Sequence, residues 1–421
     1  MQSSLGKLPD NGRVIIIGGG PAATACGLAL KHLATQTARS VDVVLVEGKQ
    51  FAGERHYNQC AGVLSPPLPE IMVRDLGIPF PHHLTRSKIA GYILHASGQS
   101  VTLDDAYEPS TALRRVQFDA YMLEAAAEHG ITVVPARAVD VEFHGGSVLV
   151  YTENAPLQGD VVVGAFGLDA GSAAMFSRVT DYRPPQALSS VVTKYHPGPD
   201  GMQAFGTYIH AFLPSDPRLE FGAITPKANH LTINIAGPDA DAELMEVFLA
   251  LPAVRGVLPN LECARQYDGN DLRFFKGYFP CSLAHTYYGD RFVMVGDAAG
   301  LVRAFKGKGV TSAVQTGIRA AHTILEAGIS RQAFDRHFRP ANDDILRDLP
   351  YGRGMRSLSM LMSRVGLFAP VLRAARQDAH LRAALFDAVS AHAPYSKVIA
   401  ETLHPAAVTA VIRAMMPMKG E

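Results

Sequence analysis

At 421 residues the chain has enough material for two or three structural units, each with a sizeable core. It is 48% hydrophobic and 19% charged, and its 39 basic and 39 acidic residues cancel with no dense Lys/Arg tract, which argues against nucleic acid as a partner. Four scattered cysteines without a CxxC pair argue against a disulfide scaffold or a structural zinc site, and no metal is expected.

Met1–Arg13 lacks the apolar stretch of a secretory signal. The longest uncharged run, Val14–Leu30, is interrupted by Gly18–Gly20 and Pro21 and is too short to span a bilayer. The expectation is a cytoplasmic protein with, at most, peripheral membrane contact.

Arg13–Gly18 reads as a buried strand, Pro21–Ala34 as a helix and Val41–Glu47 as a second strand, together a βαβ unit on a parallel sheet. His56 to His83 is Pro- and His-rich and too irregular for regular elements throughout. Gln117–His129 has helical spacing and stops at Gly130. Thr132–Pro135 and Asp160–Phe166 read as further strands. From Val191 to Gly237 alternating stretches such as Leu231–Ala236 suggest antiparallel strands. Arg291–Gly296 is another short strand, leading to a helix near Gly309. Beyond Ser330 the chain reads as helices, with 13 Lys/Arg against 8 Asp/Glu. Within them Met355–Leu372 reads as an amphipathic helix, expected to pack on its own domain rather than on an anionic membrane.

Gly18-Gly19-Gly20-Pro21-Ala22-Ala23 fits G-x-G-x-x-G/A between a strand and a helix. In such a turn Gly18 allows the tight bend, Gly20 lets backbone approach a pyrophosphate, and small residues at Ala22 and Ala23 allow close helix packing. The start of the helix, with Pro21 first, turns uncapped N–H groups toward the phosphates. Glu47 closes the next strand 27 positions after Gly20 and is placed to accept hydrogen bonds from an adenosine ribose. A second glycine turn, Gly296-Asp297-Ala298-Ala299-Gly300, follows an apolar strand about 280 residues downstream, before a helix opening at Gly307-Lys308-Gly309. Two such turns suit one long cofactor held along its length.

With these marks the sequence resembles the flavoprotein superfamily of the para-hydroxybenzoate hydroxylase fold. That fold is α/β: a Rossmann-type FAD-binding domain, an inserted antiparallel-sheet substrate domain and a helical C-terminal region. The resemblance implies FAD at Gly18, Gly20, Pro21, Ala22, Ala23, Glu47, Gly48, Gly164, Asp297, Gly300, Gly307, Gly309 and Val310. Arg115-Val116-Gln117-Phe118-Asp119 resembles the superfamily's R-x-x-F/L-D segment, which implies Arg115 near the ribityl–phosphate part. Val139 sits where a backbone group meets adenine. The FAD domain is expected over 1–185 and 286–330, with part of 80–112 on the substrate side, a substrate domain over 186–285 and helices over 331–421.

Within the superfamily, Gln59-Cys60-Ala61-Gly62-Val63-Leu64-Ser65-Pro66 is similar to the C-[AG]-[GE]-x-[IL]-S-P segment of geranylgeranyl reductases, whose loop lies against the isoalloxazine. This implies flavin contacts at Ala61 and Gly62 and makes Cys60 the candidate for the reacting centre, as a pocket-shaping residue before a proton donor; His56 and Tyr57 are alternative donors. Phe221-x-Ala223-x-Thr225-Pro226 stands where that family has Y-x-W-x-F-P, so Phe221, Ala223 and Thr225, with Tyr278 and Phe279, are the candidate substrate residues. The lost tryptophan implies a reshaped pocket. Phe166 replaces the aspartate of the hydroxylases' D-G motif, and a chain without Trp cannot carry the W-x-W-x-I-P of tryptophan halogenases.

The resemblance implies hydride transfer from reduced FAD to carbon–carbon double bonds of an isoprenoid or other hydrophobic lipid-like substrate, with NADPH or a reduced ferredoxin as electron donor and redox partner. The alternatives are an FAD-dependent monooxygenase of the same fold and a flavin-binding electron-transfer or lipid-carrier protein. Cys26 is expected in the core, and Cys263 and Cys281 in structural roles. His82 and His83 lack a carboxylate at ligand spacing.

Overall fold

The computed structural model describes residues 5–49, 51, 60–105, 108–259, 272–303 and 309–415. The His56, Tyr57, Cys263 and Gly307 positions named above lie outside them.

Arg13–Gly18 has the continuous apolar run of a strand buried on both faces, and Gly12–Ile17 forms the middle of a six-stranded sheet. Val41–Val46 and Thr132–Val134 lie to one side of it, and Val161–Gly164 and Phe292–Met294 to the other, all parallel. Tyr288–Gly289 closes that edge in the antiparallel sense. The helices Pro21–Gln36 and Gly309–His322 cross closely on this sheet. Gly317 allows the crossing, since a Cβ there would stand 2.3 Å from the Ala22 carbonyl oxygen. Cys26 is wholly buried in the same packing, and burial pushes its thiol up to about 12, which fixes it as an inert core residue.

The second sheet has seven strands in the order Phe275–Pro280, Ala187–Tyr195, His230–Gly237, Phe221–Lys227, Tyr208–Leu213, Gly91–Ala96 and Gln99–Asp104. All neighbours are antiparallel except Tyr208–Leu213 beside Gly91–Ala96. Side chains alternate between its faces. On one face Ile224, Ile233 and Ile235 pack on Phe248 of the helix Ala242–Ala250. The other face turns toward the small sheet Val63–Leu64, Ser110–Leu113 and Thr85–Ile89 at one place. Elsewhere it carries the C-terminal helices Phe368–Gln377 and Ala379–Ser390, through Leu94, Val101, Ala211 and Leu213. The buried Glu220 carboxylate accepts two hydrogen bonds from Arg356 and ties the helix Leu349–Arg364 to this sheet.

Within the irregular stretch His56 to His83 the described residues hold a short strand, Val63–Leu64, and a helix, Leu68–Leu76, with Pro66, Pro67 and Pro69 before or at its opening rather than in its interior. One expectation changes. Met355–Leu372 is not one helix. The chain bends by 104° between the helical stretch Asp343–Arg364 and Phe368–Gln377, where Gly366 adopts φ +72°. Among the described residues no single helix is long and apolar enough to cross a membrane.

Candidate functional site

In a parallel sheet the turns after the strands gather at one edge, and ligands bind there. The carboxyl ends of the first sheet bring Gly18–Gly20, Glu47, Gly164 and Gly296–Asp297 to that edge. Gly18 has φ +117°, and a Cβ on it would meet the Ala165 carbonyl oxygen at 2.4 Å, so the turn demands glycine for its own geometry. Gly20 differs. It is extended, and among the described residues a Cβ there would have nothing within 4 Å. Its glycine leaves open space in front of the helix Pro21–Gln36. That helix begins with Pro21, with no side chain capping its N–H groups and no acidic residue in its first turn.

The Glu47 carboxylate accepts the Gly19 N–H at 2.7 Å and the Lys49 N–H at 2.7 Å, which fixes it against the glycine turn. Gly48 packs closely on Arg137, and Val139 stands half exposed on the strand Ala138–His144 nearby. Gly309 repeats the pattern of Gly20 at the start of Gly309–His322, with no atom of the described residues within 4 Å of its Cβ position, and Val310 behind it is buried. The turn Gly296–Ala298 is pinned by the Gly296 N–H donating to Thr316 Oγ1 at 3.0 Å. Gly300, with φ +68°, packs on the Ser282 carbonyl oxygen. Burial pushes the Asp297 carboxyl above its ordinary value, and Arg115 opposes the shift.

Arg115 links these elements. It is buried at the start of the helix Arg115–Glu128, its guanidinium grips Asp119 one turn along at 2.9 Å, and both Cys60 and Asp297 lie within its electrostatic reach. Cys60 is exposed, and its sulfur accepts the Gly62 N–H at 3.3 Å. Gly62 has φ +69°, its carbonyl accepts the Leu113 N–H at 2.9 Å, and a Cβ on it would strike the Leu113 carbonyl oxygen at 2.1 Å, so the loop carrying Cys60 and Ala61 is locked onto the small sheet.

The face of the seven-stranded sheet that turns toward the small sheet also meets this loop. Ladder pairing places Phe221, Ala223, Thr225 and Lys227 on that face with Ala236, Asn234, Thr232 and His230. Phe279 shares it, its ring 6.2 Å from that of Phe221. Tyr278 does not: adjacent strand residues point to opposite faces, and Tyr278 is 58% exposed on the other side with the Lys276 ammonium above its ring. The pairing of Tyr278 with Phe279 as substrate residues is corrected accordingly. Among the described residues Thr232 Oγ1, Asn234 Oδ1 and His230 Nε2, buried on this face, have no hydrogen-bond partner. Buried polar atoms left in this state mark a place that takes a ligand or water.

Lys227 escapes a search for motifs, because its character comes from burial. It is 4% exposed, and a Cβ on Gly62 would lie 3.0 Å from its Nζ. Burial lowers its ammonium to about 8; Lys194, Arg114 and Arg115 press it the same way, and Cys60 opposes them. Phe166, in place of the hydroxylases' aspartate, packs on Phe176 at 5.7 Å and edge-on to Tyr182, whose hydroxyl donates to the Ala298 carbonyl at 2.8 Å. It acts there as an apolar brace behind the second glycine turn. His82 and His83 lie on a short 3-10 turn, and the described residues hold no group of three or more metal-ligating side chains.

No protein-family model matches the chain. It is 24% identical to the chloroplastic geranylgeranyl diphosphate reductase of Nicotiana tabacum over 335 residues, 75% of this chain and 66% of that protein, so it spans slightly less than two thirds of that relative's length. A geranylgeranyl bacteriochlorophyll reductase-like protein from Thermoplasma acidophilum superposes with a TM-score of 0.67 at 16% identity, over 93% of this chain and 98% of that one. A point mutant of the halogenase PltM, in complex with FAD, superposes with a TM-score of 0.62 at 15% identity, over 96% and 86%. The chain therefore resembles geranylgeranyl reductases in sequence and shares the fold of flavin-dependent oxidoreductases, reductase-like and halogenating alike.

Proposed function

We propose that this chain is an FAD-dependent oxidoreductase that reduces carbon–carbon double bonds of an isoprenoid or other hydrophobic substrate. The observation that carries the reading is the convergence of two glycine-opened helix starts, Glu47, Asp297 and the Cys60–Gly62 loop at the edge where the first sheet meets the second. The residues fit the cofactor. Among the described residues nothing fills the space beside Gly20 and Gly309, and the uncapped helix start suits a pyrophosphate. Glu47 would hold the adenosine ribose, and Asp297 the sugar-alcohol chain.

FAD, when bound and reduced, supplies a hydride. The protein's part is to orient the alkene and exclude water. Phe221, Ala223 and Phe279 offer it an apolar wall, and the C-terminal helices fastened by Arg356–Glu220 close the far end of that face. The rigid Cys60–Gly62 loop shapes the near end. NADPH or a reduced ferredoxin would return the electrons.

A monooxygenase of this fold is the rival reading, and dependence on oxygen separates the two. Protein purified from an expressing host should carry FAD, and product should form equally well with oxygen removed. Product formed only when oxygen is admitted would replace the reductase by the monooxygenase, and a preparation that never binds flavin would remove both.

A further inference from the structure

The helix Leu349–Arg364 is buried along one side only. Leu349, Gly352 and Ser363 face the molecule, Arg356 beside them grips Glu220, and Ser363 Oγ donates to the Leu213 carbonyl at 2.8 Å. Opposite them Tyr351, Leu358, Leu361 and Val365 follow one another at helical spacing and form a single stripe. All four are between 47% and 57% exposed, and Leu367, 43% exposed, continues the stripe past the bend at Gly366. Apolar residues scattered singly on a surface are ordinary, but a continuous row along one helix marks something that covers it.

The charges around this row have one sign. From residue 349 to 377 the chain carries Arg353, Arg356, Arg364, Arg373 and Arg376 and no aspartate or glutamate. Arg353 and Arg364, about three turns apart and both exposed, lie along one flank of the apolar row. Acids on the neighbouring chain are engaged: Glu220 by Arg356, and Asp216 by Arg218, next to the Pro217 carbonyl that accepts from Arg364. A second copy of the chain laid on the row would set these arginines against their own kind. An anionic lipid surface answers both features, because the apolar side chains enter its hydrocarbon boundary while the guanidinium groups stay with the phosphates. Beyond the bend Phe368, Val371 and Leu372 are buried against the seven-stranded sheet, so the segment lies on such a surface and does not cross it.

We propose that the row Tyr351, Leu358, Leu361, Val365 and Leu367 is a docking surface for an anionic phospholipid bilayer, with Arg353 and Arg364 set against its phosphates. The helix then serves on two sides at once. Its buried side is fastened to the seven-stranded sheet through Arg356 and Glu220, and its exposed side holds the molecule to the membrane. The inference stands apart from the reaction proposed above and does not depend on it.

The test is flotation of the full chain with vesicles of phosphatidylcholine alone and of phosphatidylcholine with phosphatidylglycerol in equal parts. The protein should bind the mixed vesicles about tenfold more tightly than the neutral ones, and the preference should fade as salt is raised. Leu361→Asp with Val365→Asp should weaken that binding by about tenfold or more and leave the melting temperature unchanged, since both side chains stand clear of the core. Arg353→Gln with Arg364→Gln should remove most of the preference for anionic vesicles while keeping the weaker binding to neutral ones. This second pair carries the test if the aspartates disturb the helix. No binding to the mixed vesicles, or equal binding by the wild type and both variants, overturns the proposal. So does a wild type that self-associates in light scattering without binding vesicles, beside an aspartate variant that stays monomeric, because the row would then belong to a second copy of the chain.

Discussion

Gly20 and Gly317 make opposite demands on a substitution, and the contrast isolates cofactor binding from folding. A methyl group on Gly20 meets no atom of the described residues within 4 Å, and the residue is already extended, so Gly20→Ala should fold as the wild type does, within about 1 kcal/mol. A methyl group on Gly317 would stand 2.3 Å from the Ala22 carbonyl oxygen and 3.0 Å from the Cys26 nitrogen, both backbone atoms that cannot move without parting the two helices. Overpacking of this kind costs about 1–3 kcal/mol. If the space before Gly20 admits a pyrophosphate, Gly20→Ala should lower FAD affinity at least about tenfold, worth about 1.4 kcal/mol. The assay is FAD stoichiometry by absorbance and equilibrium dialysis, beside thermal unfolding of the flavin-free protein. Gly20→Ala should lose flavin and keep its melting temperature, whereas Gly317→Ala should melt several degrees lower. Unchanged FAD affinity in Gly20→Ala would refute the placement of the cofactor at this turn.

Further predictions concern charge. Lys227 falls from 10.5 to about 8 in the fold, a penalty on the ammonium of about 3 kcal/mol that is complete below pH 8 and relaxes between about pH 8 and 10.5, so wild-type stability should rise through that window. Lys227→Met should be the more stable protein at pH 7 in urea unfolding, with a flatter profile above pH 8; a variant less stable at pH 7 would contradict this. His95 and His210, whose rings meet at 2.9 Å, are both pushed by burial to about 4. Their folded values lie below the ordinary 6.5, so stability should be lost as pH falls from about 6.5 through 4, and His210→Phe should reduce that loss in melting curves. Arg356→Met strands the buried Glu220 carboxylate and should cost about 3 kcal/mol, which Glu220→Gln in the same chain should largely restore in a double-mutant cycle.

The parallel sheet and its glycine turn are legible in the sequence because local rules decide them: an apolar run, a strand-to-helix turn and an acid at the next strand end. Glu47 is readable even at its long spacing, since the extra residues fall in the turn that follows the helix Pro21–Gln36. What eludes the sequence depends on distant partners. Lys227 looks like an ordinary strand-end lysine until the Gly62 loop, 165 positions earlier, closes over it. Tyr278 and Phe279 look equivalent as neighbours, and only the register against Ala187–Tyr195 shows which one faces inward. The helix Leu68–Leu76 is masked by its prolines, and the bend at Gly366 interrupts a hydrophobic pattern that reads as continuous.

The most direct measurement of the central claim is anaerobic. The bound flavin is reduced chemically and mixed with a geranylgeranylated lipid, the oxidised-flavin absorbance is followed, and the lipid is weighed by mass spectrometry. The account predicts reoxidation without oxygen and a gain of two hydrogens for each double bond reduced. Flavin that stays reduced against a panel of isoprenoid and other hydrophobic alkenes, and reoxidises only when oxygen enters, would contradict it.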